Sequence, residues 1–243
     1  MSKIEVKTMR QPIGIVGAMR VEIEAILEAA EQVASQEHTS MTFYEGVLSG
    51  VPFVAAQCSP GKVNSALCAQ VMADLYHPRL ILNIGVAGGI GKDVQIGDVV
   101  IATACVQYDF DGTAMGSALG EIEMPPDDRK MREFPCDPVI SGKLAEAAEH
   151  LYGHAHRGII ATGDRFVADP NLGKWLNESF GALACEMEGA STAHACYLNH
   201  IPCAVLRTIS DNGNDDATVD FPAFARESAH KAQQLLANVI GTL

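Results

Sequence analysis

The amino-acid sequence predicts an α/β protein: one domain in which a central mixed, mostly parallel sheet is flanked by helices. Apolar, strand-like runs alternate with amphipathic, helix-like segments from one end of the chain to the other, a pattern that calls for a sheet covered by helices on both faces. Several runs are nearly continuous and β-branched, as QIGDVVIATACVQYD is, and such strands are buried on both faces. The chain's 243 residues, 48% hydrophobic and 19% charged, supply apolar surface for one sizeable core and carry too few charges for disorder.

The elements follow in order. IGIVGAM (13–19) reads as a buried first strand ending in a Gly-containing turn, and RVEIEAILEAAEQVA (20–34) as a helix with apolar residues at three- and four-residue spacing. Residues 42–58 read as a hairpin turned at Ser49 and Gly50, and 62–76 as a second helix. RLILNIGVAGGIG (79–91) is a strand that breaks into a Gly-rich loop, followed by the long strand 95–109. Asp111 to Pro138, with Pro125, Pro126, Pro135 and Pro138, is the one long irregular segment, and loops of that length serve as functional lids or partner contacts. A helix at 141–153, a strand and loop RGIIATGDRFV and a helix at 171–181 come next. ALACEMEGASTAHACYLNH then reads as a strand passing into a helix, IPCAVLRTIS as a strand and PAFARESAHKAQQLLANVIGTL as the closing helix. No internal repeat or linker is visible, so residues 1–12 are read as an extension to a domain of 13–243.

Charge and composition exclude several functions. Lys and Arg total 17 against 30 Asp and Glu, a formal charge of -13, and no basic cluster offsets it, so no nucleic-acid partner is expected. No apolar stretch approaches the ~20 residues that span a bilayer, so no membrane partner is expected, and MSKIEVKTMRQPIG contains no readable signal peptide. The expected location is the cytoplasm. The seven cysteines are odd in number and without a CxxC pair, which suits reduced core thiols better than zinc ligands.

Ligands of open α/β sheets bind beyond the carboxyl ends of strands. Four such places carry polar residues: Met19 to Glu22, Gly85 to Gly91, Cys185 to Glu188 and Arg207 to Asp211. The glycines match neither GxGxxG nor a P-loop, but they allow backbone to approach a ligand closely. Strand alternation across Glu186, Met187 and Glu188 turns the two carboxylates in different directions, so one is expected to face a cleft and the other to be solvated or ion-paired. Asp211 at its strand end reads equally as a cap for the Asn212-Gly213 turn. His150, His154 and His156 have metal-like spacing without a carboxylate partner in an HExxH arrangement, and are expected at a solvent-facing helix end. Ser210 lies outside any GxSxG motif, so covalent catalysis is not indicated.

At these same strand ends GIVGAMRVEIEAIL, NIGVAGGIGKDVQIGDVVIAT, ATGDRFVAD, CEMEGASTAHACY and RTISDNG, in this order, resemble the 5'-methylthioadenosine/S-adenosylhomocysteine nucleosidase family of the purine nucleoside phosphorylase superfold. The likeness runs from about Ile13 to the C-terminus, and GAM-x-x-E, EMEG and R-x-ISD together make it specific. It implies hydrolysis of the N-glycosidic bond of an adenine nucleoside by a cytoplasmic homodimer that needs no metal or cofactor. It further implies Asp211 as general acid to purine N7, oriented by Ser210, and Glu22 as holder and base of the attacking water, with Arg207 beside it to set the charge balance. Glu188 would accept from the two ribose hydroxyls, with Met19 and Met187 packed on the sugar. Phe166 would stack on adenine, the Val167 backbone would read the purine edge, Val86 and Ala87 would line the Gly loop and Phe221 would close over the nucleoside. Val86 stands where the family usually has Ser, and Pro60 where it has an apolar residue. A phosphorylase of the same superfold, a futalosine-type nucleosidase and a non-catalytic nucleoside-binding module are the competing readings. Phosphate needs several cationic or amide donors, and Arg20 is the only basic residue near Glu22 in the sequence.

Overall fold

The computed structural model describes residues 11–213 and 217–243, and no side chain of 214–223. The first strand, β1 (Ile13–Gly17), is entirely buried and hands over through Ala18 and Met19 to helix α1 (Arg20–Glu28). That helix stops earlier than its sequence spacing predicts. Residues Glu31–His38 form an exposed strand, β2, which pairs antiparallel with β3 (Met41–Leu48), so the ladder overrides a local helical preference. The expected hairpin is present: β3 turns into β4 (Val51–Gln57) at Ser49 (φ 49) and Gly50 (φ 77), both left-handed, as a tight two-residue turn demands.

Helix α2 (Lys62–Tyr76) occupies its expected span and leads to β5 (Leu80–Gly89) and β6 (Val99–Gln107). The irregular segment holds a 3-10 turn and three short strands, β7 (Ile122–Met124), β8 (Arg129–Met131) and β9 (Glu133–Pro135), the last paired to β6. Helix α3 (Pro138–Tyr152) starts three residues before the sequence reading, because the Asp137 carboxylate accepts the Val139 and Ile140 amides and Pro138 sits in the first turn. Next come β10 (His156–Thr162), α4 (Pro170–Phe180), β11 (Ala182–Glu186), α5 (Gly189–Leu198), β12 (Cys203–Asp211) and α6 (Ala217–Val239).

The main sheet runs β11-β10-β6-β12-β5-β1-β4-β3-β2, and β11 also pairs back onto β5, closing one end of the sheet on itself. Strands β4, β1, β5 and β12 are mutually parallel, and β6 runs antiparallel to β12, so the sheet is mixed as expected. One apolar cluster packs Ile13, Phe53, Leu82, Leu144 and Leu235 on one side, and another packs Val16, Phe43, Met72, Phe134 and Val205. All seven cysteines are free and buried. Among the described residues no helix is long and apolar enough to cross a membrane.

One expectation fails here. Of the three histidines only His150 has no place in a cluster: His154 and His156 share a carboxylate partner, Asp98, that comes from the turn before β6, more than fifty residues away in sequence. Local spacing could not reveal a partner delivered by the pairing of β10 with β6.

Candidate active site

The ends of β1, β5, β11 and β12 surround a cavity of about 280 Å³. Glu22 enters it from the first turn of α1, where its Oε2 accepts the Met19 amide at 2.9 Å. A side chain at Gly85 would put its Cβ 3.0 Å from Glu22 Oε1, so the glycine is what lets the carboxylate lie against β5. Glu22 is buried, and burial pushes its pKa up to about 7 against the opposing pull of the Met19 amide, the Arg207 charge and the amides of Ala18 and Val86.

Asp211 approaches from the other side of the β5 end. A register shift between Ile209 and Asp211 sets it opposite Gly88, where a Cβ would come within 2.9 Å of Asp211 Oδ1. Ser210 Oγ donates to Asp211 Oδ2 at 2.9 Å, and the Gly213 amide donates to Oδ1 at 2.9 Å. Both sequence readings of this carboxylate hold at once: it caps the next turn and it faces the cavity.

Glu188 lines the third wall at the start of α5, its Oε1 accepting the Gly61 amide at 2.9 Å. Its pKa is pushed up to about 7, first by burial and then by neighbouring Glu186, with the Arg207 charge opposing. Met19, Val86, Ala87, Phe166, Val167, Met187 and Ser210 line the same cavity, as the sequence reading expects. Phe166 is 43% exposed and Val167 is buried. The Phe221 side chain lies outside the described residues, as does the N-terminal extension up to residue 10.

Two expectations are corrected. Arg207 does not face the cavity; it lies fully buried behind it, donating to Glu186 and Asn83 side chains and to the Asn83 and Leu206 carbonyls at 3.2 and 2.9 Å. Its reach to Glu22 is electrostatic. Glu186 and Glu188 both border the cavity, since β11 ends at Glu186 and the chain bends at Met187, where strand alternation no longer applies. Glu186 is the one that Arg207 hydrogen-bonds directly, while Glu188 Oε2 lies 4.0 Å from the same guanidinium. Glu186 Oε2 accepts the Glu188 and Gly189 amides at 2.9 and 2.7 Å and its Oε1 accepts the Thr162 hydroxyl.

Arg165 and Cys185 also border the cavity. Both lie within the motifs ATGDRFVAD and CEMEGASTAHACY but carry no role in the sequence reading, since nothing local tells which residue of a motif turns inward.

Residues 12–241 match the phosphorylase superfamily. A 5'-methylthioadenosine/S-adenosylhomocysteine nucleosidase of Shewanella pealeana is 34% identical over 224 residues, covering 90% of this chain and 94% of the relative. The chain belongs to the 5'-methylthioadenosine/S-adenosylhomocysteine nucleosidase family. Within this nucleosidase family and its neighbours, the chain is 38% identical over 217 residues to an aminodeoxyfutalosine nucleosidase of Campylobacter jejuni, covering 89% of this chain and 93% of that one. A Helicobacter pylori nucleosidase mutant with 5'-methylthioadenosine in its active site superposes with a TM-score of 0.90 at 33% identity, over 97% of this chain and all of that one. As a nucleosidase, the protein is an enzyme of the N-glycosyl hydrolase class.

Proposed function

We propose that this nucleosidase hydrolyses the N-glycosidic bond of 5'-methylthioadenosine and S-adenosylhomocysteine to adenine and a 5'-thioribose. The observation that carries the reading is the convergence of Glu22, Glu188 and Asp211, remote in sequence, on one cavity of about 280 Å³. A site that only bound a nucleoside would not need carboxyl groups on opposite sides of it.

Departure of adenine leaves an oxocarbenium-like ribose, so the purine must be protonated as it leaves and water must be aimed at the anomeric carbon. Asp211 gives its proton to N7, held by the Ser210 hydroxyl. Glu22 takes the proton of the attacking water, and a carboxyl with a pKa of about 7 is well matched to that task near neutrality. Where the family usually offers a Ser hydroxyl, this chain has Val86, whose backbone amide supports the Glu22 carboxylate. Glu188 accepts from the vicinal ribose hydroxyls while Met19 and Met187 cover the sugar, and Phe166 stacks on adenine beside the Val167 backbone. Arg207 acts from behind, its charge holding both Glu22 and Glu188 lower than burial alone would leave them.

A second reading is hydrolysis of aminodeoxyfutalosine, favoured by the 38% identity to the Campylobacter jejuni nucleosidase. An adenine-release assay over methylthioadenosine, adenosylhomocysteine and aminodeoxyfutalosine, with and without phosphate, tests both. Highest kcat/KM on the two thioethers, independent of phosphate, is the expected result. A clear preference for aminodeoxyfutalosine moves the substrate to the second reading, and dependence on phosphate makes the enzyme a phosphorylase.

The protein is further proposed to work as a cytoplasmic homodimer. Its seven free thiols suit a reducing compartment. The apolar residues Val63, 77% exposed, and Leu67 and Leu198 on α2 and α5 line one open groove, the kind of patch a second copy covers. Sedimentation of the native chain and of Val63→Asp tests the dimer; a native monomer rejects it.

A further inference from the structure

We propose that Asp98, His154 and His156 form a binding site for a divalent cation of the zinc class, apart from the catalytic cavity. Among the described residues this is the one group of three histidine, cysteine or carboxylate side chains whose ligand atoms all lie within 4.8 Å of one another. None of the three borders the cavity.

The backbone assembles the trio. Asp98 closes a turn, its amide bonded to the Gln95 carbonyl at 3.0 Å and its Oδ2 accepting the Gln95 amide at 2.8 Å, which fixes the carboxylate just ahead of β6. Gly153 ends α3 in the left-handed region (φ 87), and the chain enters β10 within three residues. His156 opens β10 and His154 lies two residues before it, just past the end of α3. The parallel pairing of β10 with β6 sets His156 against Val100 and brings the two imidazoles to Asp98. His154 Nε2 lies 2.7 Å from Asp98 Oδ1 and His156 Nε2 2.8 Å from Oδ2.

A charged carboxylate facing two imidazole nitrogens is a donor set that suits zinc, cobalt, nickel or copper rather than magnesium or calcium, which prefer all-oxygen shells. Bonds of about 2.0–2.2 Å to the metal separate tetrahedral ligand atoms by roughly 3.3 Å, so each contact needs to open by only roughly half an ångström. To bind the metal each imidazole must offer a deprotonated Nε2, with any remaining ring proton on Nδ1. His154 is 60% exposed at its side chain, which leaves an entry path and room for a water as fourth ligand. Lys231 on α6, the basic group beside this turn, is engaged with the Gly97 carbonyl and the Tyr152 ring. The chain's formal charge of -13 favours capture of any cation.

Occupancy would bear on the catalytic strand. The Gly97 amide donates to the Ile209 carbonyl at 2.8 Å and the Ile209 amide donates to the Asp98 carbonyl at 2.9 Å. Ile209 is followed directly by Ser210 and Asp211. A cation tying β10 to the start of β6 therefore braces the segment that carries the proposed acid, and it stabilises the folded chain by an amount that grows with the logarithm of its affinity.

The test is a Co²⁺ titration of untagged, chelator-treated protein, followed by d–d absorption. We expect one Co²⁺ per chain, at least about tenfold weaker binding in His154→Ala, where even loss of a supporting partner typically costs that much, and unchanged binding in His150→Ala. Zn²⁺ should raise the Tm of the native protein and leave that of His154→Ala unmoved. Absence of Co²⁺ binding, equal affinity in His154→Ala or a thiolate charge-transfer band would each overturn the site, leaving a hydrogen-bonded trio.

Discussion

Arg207 Nη2 donates to Glu186 Oε2 with both side chains shut off from water, while Glu188 Oε2 lies 4.0 Å from the same nitrogen. One guanidinium thus sits behind three carboxyls, Glu22, Glu186 and Glu188, and its charge holds Glu22 and Glu188 below where burial alone would leave them. Arg207→Met should destabilise the fold by about 3–5 kcal/mol, the cost of stranding one member of a buried pair. The double variant with Glu186→Gln should recover much of that loss. Urea unfolding of the three proteins measures it; equal stability of native and Arg207→Met would mean that the pair contributes nothing net.

Burial of two of these carboxyls sets a pH dependence, which the Arg207 charge opposes. Glu22 and Glu188 both titrate near 7 in the folded protein against an ordinary value of 4.5. Because the folded pKa values are raised, the folded chain holds more protons than the unfolded one between about pH 4.5 and 7, and stability falls as pH rises through that window. Glu22→Gln removes one of the two groups, so its stability should fall less steeply than that of the native protein across the window. Activity should move the opposite way: kcat/KM rises towards an apparent midpoint near 7 that belongs to the two carboxyls together. A flat stability difference between native and Glu22→Gln from pH 4.5 to 8 would contradict the raised value.

Asp211→Asn keeps the bond from the Gly213 amide and the contact with Ser210 but has no proton to give. Turnover should drop by roughly 10²- to 10⁴-fold, the usual contribution of general acid catalysis, with an unchanged melting temperature. Turnover within a few-fold of native would take the acid role away from Asp211.

How much of this was legible in the sequence follows from where each signal resides. Glu22, Glu188 and Asp211 each stand at a strand end, and the strands themselves are marked by continuous apolar runs, so both fold class and site location follow from local pattern. Residues 31–34 read as the end of a helix because the strand they open, Glu31–His38, is exposed along its length and is held by pairing with β3. Arg207 was expected at the cavity because it shares a motif with Asp211. Four residues apart on a strand, the two share a face only while the register is regular, and the shift between Ile209 and Asp211 breaks it. Asp98 was missed for a simpler reason: its partners are 56 and 58 residues away.

Phe166 provides the last test, because its ring borders the cavity and is 43% exposed. Stacking of a base on an aromatic side chain is worth about 1–3 kcal/mol, so Phe166→Ala should raise KM for 5'-methylthioadenosine by roughly 5- to 150-fold. On the proposed mechanism adenine leaves whether or not it was stacked, and the proton from Asp211 would travel to N7 in the ring plane, so kcat should change far less than KM. Steady-state kinetics of adenine release separates the two. A loss confined to kcat would mean that the ring positions the purine for proton transfer rather than binding it, and unaltered kinetics would put the adenine elsewhere in the cavity.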